Sequence, residues 1–320
     1  MIPTTASAYR FADITVFSEL ALPGLPAAAH GELPDVTVMI RPSRDLEDCT
    51  EYGRCDWSAE GSLVMDLPPF ARLVFSVADS AIIVEPFPNA RESVLRHVVV
   101  DTALPRWLAM VGRPTFHATA VESDGKVLAF LGGSGQGKST LSGAMVANGA
   151  RWIADDLLLL NMDGPIVQAI PTIVSTRLRP DSAGALGIDH REGEIISSRA
   201  SKRRWDVPAA ATSSPLACMF FLDRRAEPDG PVTISGITNS TAVGELAGHW
   251  LLTDTGAIAP LKFLTTATQL IRTTPMVRLS YPSSYEALPQ VIGAVRTEVE
   301  SGLRRQHDSS VPLRLARGGG

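Results

Sequence analysis

The sequence predicts an α/β fold, α+β overall, in which a β-rich N-terminal domain precedes a domain built on a glycine-rich strand–loop–helix unit. Three observations carry this expectation. Short apolar segments of period two crowd the first hundred residues, with no helical pattern between them. Residues 132–139 read Gly-Gly-Ser-Gly-Gln-Gly-Lys-Ser between an apolar run and an amphipathic one. Helical periodicities then recur toward the C-terminal end.

In the first part, Val36, Val38 and Ile40 alternate with Thr37, Met39 and Arg41, the period of a half-buried strand. Leu63–Leu67, Leu73–Val77 and Ala81–Val84 follow at short intervals, separated by Pro68-Pro69 and Asp79-Ser80. Such spacing predicts antiparallel pairing. Residues 21–35 and 42–60, richer in Pro, Gly and charge, read as loops. From Arg91 the spacing of Val94, Leu95, Val98 and Val99 predicts a helix, with Asn89 as its cap and Pro105 as its kink or end.

Two strands follow, Phe116–Val121 and Val127–Leu131, joined by the hairpin dipeptide Asp124-Gly125. A helix after residue 137 should end near Gly149. Leu157–Leu160 and Ile166–Ile170 read as strands about Asp163-Gly164, and Leu216–Leu222 as a strand buried on both faces. The polar stretch 181–214 reads as a long loop, and helices are expected over 240–251, 258–272 and 285–301. The domains expected are therefore 1–110 and 111–302, with a disordered tail over 303–320.

Composition narrows the partners. With 320 residues, 45% apolar and 20% charged, the chain is an ordinary globular protein. A net charge of −5 supplies no overall basic field for nucleic acid or anionic membrane, so neither is expected as a partner. No uncharged apolar run approaches the ~18 residues of a membrane span. Arg10, Asp13 and Glu19 interrupt the stretch a signal peptide would need, and three cysteines (Cys49, Cys55, Cys218) suit a reducing compartment, so a cytoplasmic protein is expected.

Gly132 through Ser139 satisfies the P-loop pattern at every fixed position. Glycines at 132, 133, 135 and 137 let successive N–H groups converge on a phosphate, and the following helix points its positive end there. Lys138 supplies a cation for the β- and γ-phosphates, and the Ser139 hydroxyl is placed to ligate Mg²⁺. Asp155-Asp156 falls 17 residues after Lys138. A strand returning beside the P-loop strand would put this pair next to the phosphates, one carboxylate for the metal and one to accept a proton. The competing reading is an acidic turn. Leu222-Asp223, closing Met-Phe-Phe-Leu-Asp, offers a second metal carboxylate of Walker B type. Because Arg224 and Arg225 follow it, Asp223 reads equally as part of a charge-paired turn. His117, expected to share a strand face with Thr119 and Val121, is either a satisfied structural histidine or a phosphate or acid–base group.

His117-Ala118-Thr119-Ala120-Val121, the Asp124-Gly125 hairpin, Gly132 to Thr140 and Ala154-Asp155-Asp156 together resemble the HPr kinase/phosphorylase family, whose kinase domain also resembles phosphoenolpyruvate carboxykinase. The resemblance is specific over residues 115–160 and weaker to about residue 300. The opening YRFADITVFSELALPGLP and the segment SPLACMFFLDR are similar to a subgroup found in natural-product clusters, whose best-known members phosphorylate a serine at the end of lasso-peptide precursors. The glycine-containing loop that marks bacterial HPr kinases after the Asp-Asp strand is not evident, which counts against HPr as substrate and against phosphorolysis.

The resemblance implies a P-loop kinase domain using ATP and Mg²⁺ to phosphorylate a Ser/Thr hydroxyl of a peptide or protein. It implies that Gly132, Gly133, Ser134, Gly135, Gln136, Gly137, Lys138, Ser139 and Thr140 hold the triphosphate, with Lys138 neutralising charge. Ser139 would ligate Mg²⁺ with Asp155 or Asp156, Asp155 would stand in the place of the general base, and His117 in that of a histidine near the phosphates. Lys202 and Arg203 match a basic pair that would clamp the transferring phosphate; a solvated basic turn is the other reading. Bacterial relatives form rings, which leaves a homo-oligomer open for this chain, although the contact surfaces of such rings are not recognisable in its sequence. A small-molecule hydroxyl as acceptor and a regulator that binds ATP without turnover are the alternatives.

Overall fold

The computed structural model describes residues 6–42, 50–172, 209–227, 229–251 and 258–309, together with 176–178, 184 and 203–205. Its first sheet has seven strands: β1 (Ser7–Phe11), β2 (Ile14–Ser18), β3 (Val36–Ile40), β4 (Cys55–Trp57), β5 (Leu63–Leu67), β6 (Ala71–Ser76) and β7 (Ala81–Pro86), in the order β1-β2-β3-β7-β6-β5-β4. Pairing is antiparallel from β4 to β7 and between β1 and β2. It is parallel where β3 meets β2 and β7, contrary to the sequence expectation. The physical reason is connection length: residues 19–35 carry the chain back to start β3 alongside β2, and three hairpin-linked strands intervene before β7. β4 also falls within 42–60, expected to be loop. Cys49 lies outside the described residues.

Against this sheet pack α1 (Glu92–Val98), a π-helical turn (Val99–Ala103) and α2 (Leu104–Met110). Pro105 sits in the first turn of α2, where its missing N–H costs little, and the wider π turn ahead makes room for its ring. It therefore neither ends nor sharply breaks the helical path. Asn89 is not the cap; it belongs to a turn closed by the Ala90 N–H on the Phe87 carbonyl, and Arg91 precedes the helix. Leu95, Val99, Leu104 and Trp107 share a core with Val16, Phe75 and Ile82, and also with Leu157, Leu159 and Ile170 from beyond residue 110.

The second sheet has nine strands: β8 (Thr115–Phe116), β9 (Ala118–Ser123), β10 (Lys126–Leu131), β11 (Arg151–Ala154), β12 (Leu158–Asn161), β13 (Gln168–Ile170), β16 (Ser214–Arg225), β17 (Thr233–Gly236) and β18 (Met276–Pro282). The path runs β11-β9-β10-β16-β13-β12-β8, with β18 on β16 and β17 on β18. β14 (Thr176–Leu178) and β15 (Arg203–Trp205) form a separate pair, which corrects the reading of 181–214 as loop throughout; much of the rest of that stretch lies outside the described residues. The β9–β10 hairpin turns on Asp124 (φ 53) and Gly125 (φ 74), both left-handed as a type I′ turn requires.

Both faces of this sheet are covered, which explains its continuous apolar strands. Val127, Ala129 and Leu131 of β10 join one core with Trp250, Ala267 and Leu270. Leu128 and Phe130 point the other way, into Leu141, Ala144, Met145, Val291 and Val295. Helix α3 (Lys138–Ala147) supplies Leu141, Ala144 and Met145 at helical spacing. It ends as expected at Gly149 (φ 95): the Gly149 and Ala150 N–H groups donate to the Val146 and Met145 carbonyls, a Schellman closure. Helices α4 (Asn239–His249), α5 (Ile258–Thr273) and α6 (Leu288–Ser309) complete the layers. The tail expected from residue 303 begins as helix, because no Pro stops α6 before Pro312; residues 310–320 lie outside the described residues. Among the described residues, no helix is long and apolar enough to cross a membrane.

Candidate active site

Strand β10 delivers the chain to Gly132, which is buried, and residues 133–135 then form an exposed arch before α3 begins at Lys138. The arch closes through the Gln136 N–H on the Gly133 carbonyl at 3.3 Å. Gly135 (φ 86) and Gly137 (φ 87) are left-handed, the conformation that turns successive N–H groups to one side and that a Cβ disfavours. The N-terminus of α3 adds its partial positive charge to the same place.

Lys138 is 7% exposed, so its ammonium must be satisfied internally. It donates to the Gly132 carbonyl at 2.6 Å and the Gly133 carbonyl at 3.4 Å, and lies 3.4 Å from His117 Nε2. A charged ammonium can only donate, so the His117 nitrogen facing it is the acceptor. His117 is not within a strand. It occupies the bend between β8, paired with β12, and β9, paired with β10 and β11, where the chain changes partners. The His117 backbone N–H donates to the backbone carbonyl of His249 at 2.7 Å, tying the end of α4 to the site. Burial first, then the charge of Lys138 and electrostatic coupling to His117, hold the His249 imidazole below its ordinary range, with Glu245 opposing. Nothing local in the sequence singles out His249; only the fold brings it beside His117.

The Ser139 hydroxyl donates to Asp155 Oδ1 at 3.0 Å. The strand that leads into Asp155, β11, is not beside the P-loop strand: β9 lies between them. Because β10 and β11 are both antiparallel to β9, they run the same way, and their C-terminal ends reach the same edge. Asp156 (φ 67) turns the chain sharply after Asp155, a conformation Asp tolerates. Strand β16 does run parallel to β10, as a Walker B strand would, with Phe221 opposite Leu131. Asp223, two residues further on, accepts a hydrogen bond from the Ser280 hydroxyl at 2.8 Å. Its neighbour Arg224 turns toward the P-loop, with Nη1 3.2 Å from the Gly135 carbonyl.

The structure thus brings together two contacting pairs, His117 with Lys138 and Ser139 with Asp155, at adjacent positions where the P-loop enters α3. Ser134 lies on the exposed arch and Thr140 is half-buried in the first turn of α3. Arg203 is on β15, whose partner β14 lies against α3; Lys202 lies outside the described residues.

Among the described residues, no group of three or more His, Cys, Asp or Glu is arranged to hold a metal. A hydroxyl beside a carboxylate is nonetheless a donor set of hard oxygens, and Mg²⁺ is held in such sites by one or two carboxylates together with phosphate oxygens. Ser139 and the Asp155-Asp156 pair fit that requirement, and the exposed arch fits a polyphosphate.

No family model and no curated protein matches the chain. Among solved structures it is similar to the HPr(Ser) kinase/phosphatase from Coxiella burnetii, at 13% identity and a TM-score of 0.30, over 58% of this chain and 98% of that one.

Proposed function

We propose that the protein is an ATP-dependent kinase that transfers the γ-phosphoryl group to a Ser or Thr hydroxyl of a peptide or protein, working in the cytoplasm. The observation that carries the reading is the Ser139–Asp155 hydrogen bond of 3.0 Å within a complete P-loop whose lysine is already held over the loop. In this reading the N–H groups of residues 133–139 hold the triphosphate. The Lys138 ammonium leaves its carbonyl partners for the β- and γ-phosphates as charge develops. Ser139 and Asp156, with Asp155, would hold Mg²⁺, which neutralises charge on the transferring group. The acceptor oxygen attacks the γ-phosphorus as the bond to the bridging oxygen breaks and ADP departs. Asp155 orients that hydroxyl and takes its proton, and His117 fixes the ammonium's starting position. Lys202 and Arg203 are assigned to the transferring phosphate.

Residues 1–110 and 111–302 are read as two domains, the first offering surface to the substrate. The finer proposal, supported by the sequence resemblance, is the C-terminal serine of a lasso-peptide precursor as acceptor. Incubating the protein with γ-labelled ATP, Mg²⁺ and peptides ending in Ser, with Thr, Ala and amidated variants, tests this. Label on the Ser and Thr peptides, strongly diminished in Asp155→Asn, is expected. Label on small-molecule hydroxyls alone overturns the peptide assignment, and ATP binding without transfer to any acceptor overturns the kinase reading.

A further inference from the structure

A P-loop that turns its N–H groups toward phosphate leaves carbonyls on its outer side, and these need donors of their own. Two side chains from neighbouring strands meet them. Tyr281 on β18 is 3% exposed, and its hydroxyl donates to the Gln136 carbonyl at 2.6 Å. Arg224 on β16 donates through Nη1 to the Gly135 carbonyl at 3.2 Å, while its backbone N–H donates to Gln136 Oε1 at 2.7 Å. The two residues are direct partners in the parallel β16–β18 register, so one pairing step fixes both. Contact is close: a Cβ placed on Gly137 would lie 2.7 Å from the Tyr281 hydroxyl and 3.5 Å from Arg224 Cδ.

We propose that Tyr281 and Arg224 are positioning residues which, by holding the Gly135 and Gln136 carbonyls and the Gln136 side chain, keep the P-loop in its phosphate-binding shape. The inference rests on the reading of this loop as a nucleotide site and extends it to residues that touch no phosphate. The physical basis is the peptide flip. Without an outer donor, a loop peptide rich in glycine can rotate, and the rotation exchanges an inward N–H for a carbonyl oxygen that repels the phosphate. Burial pushes the Tyr281 phenol far above its ordinary range, so it remains a donor at every working pH.

The test is calorimetric titration of Mg·ATP into the full chain, beside thermal unfolding and label transfer. Loss of one neutral hydrogen bond predicts that Tyr281→Phe raises Kd about threefold to tenfold. Arg224→Met should do the same, and Arg224→Lys, which keeps a cationic donor, should recover part of the loss. The unfolding temperature should fall by no more than about a few degrees, while kcat at saturating ATP stays at the wild-type value. Weaker binding with unchanged kcat, partly recovered in Arg224→Lys, is a split that a merely structural role would not give. Tyr285→Phe, on an exposed side chain, serves as control and should leave Kd unchanged. If Tyr281→Phe fails to fold, the Arg224 pair decides. Wild-type Kd in both Tyr281→Phe and Arg224→Met, with the wild type binding normally, overturns the latch and leaves the site reading standing. Failure of the wild type to bind Mg·ATP overturns both.

Discussion

Replacing Lys138 by Met removes one charge from the centre of the site while keeping most of the stem that packs there. The ammonium stands 2.6 Å from the Gly132 carbonyl and 3.4 Å from His117 Nε2, at the base of the loop rather than out in solvent. A phosphate oxygen replacing one of those carbonyls would sit at about 3 Å, the usual charge-assisted distance. At an effective dielectric near 20, one unit charge at that distance is worth about 5 kcal/mol, or roughly four decades. Restoring the present carbonyl contacts and rehydrating the phosphate offset part of this, so kcat/KM for ATP should fall by about 10³. The fall should lie more in kcat than in KM if the lysine follows developing charge. Stability should fall by about 1–3 kcal/mol, because the buried Gly132 carbonyl loses its donor. The assay is steady-state label transfer with varied ATP, alongside an unfolding curve. A fall of less than about tenfold with the variant folded would refute the assignment of Lys138 to the transferring phosphate.

Three other expectations follow from the same geometry. Asp155→Asn and Ser139→Ala should each raise the Mg²⁺ concentration needed for half-maximal transfer, and a double-mutant cycle should show coupling of about 0.5–3 kcal/mol, since the groups touch; strict additivity would argue against a shared metal role. Phe220, fully buried and stacked on Phe130 at 5.5 Å, should cost about 3–5 kcal/mol as Phe220→Ala, read as a lower urea midpoint at unchanged slope. His249 is held below its ordinary 6.5 in the folded chain, so the unfolded chain takes up the proton first on acidification. Its contribution is complete above that value and is lost as pH falls below it toward the depressed folded value. His249→Asn should therefore flatten the decline in stability from pH 7 downward, and an unchanged slope would show that another group titrates there.

Local pattern proved most informative where the physics is local. Asp124-Gly125 names its turn because two adjacent residues must accept positive φ, and Gly149 names a helix end for a similar reason. Val36–Ile40 and Leu63–Leu67 are strands because alternation is enough to bury one face. Pairing direction was not legible in the same way. β3 joins β2 and β7 in parallel only because of how residues 19–35 and the intervening strands β4 to β6 route the chain. β18, though it alternates in burial and ends at Pro282, is set on β16 by packing rather than by its own sequence. The bend at His117 reflects a change of strand partner, which one strand's own sequence does not encode.

The P-loop pattern from Gly132 to Ser139 follows from sequence alone, since it requires closely spaced glycines, a lysine and a hydroxyl within eight consecutive residues. That Asp155 lies against Ser139 depends on β9 standing between two strands of common direction, a relation among three segments. That Arg224 faces the loop while Asp223 faces Ser280 depends on the register between β16 and β18. Tyr281 reaches Gln136, and His249 reaches His117, across long sequence separations. Residues that bind through backbone geometry are written in order along the chain, whereas those that support them are chosen by strand order and register, which only the folded packing sets.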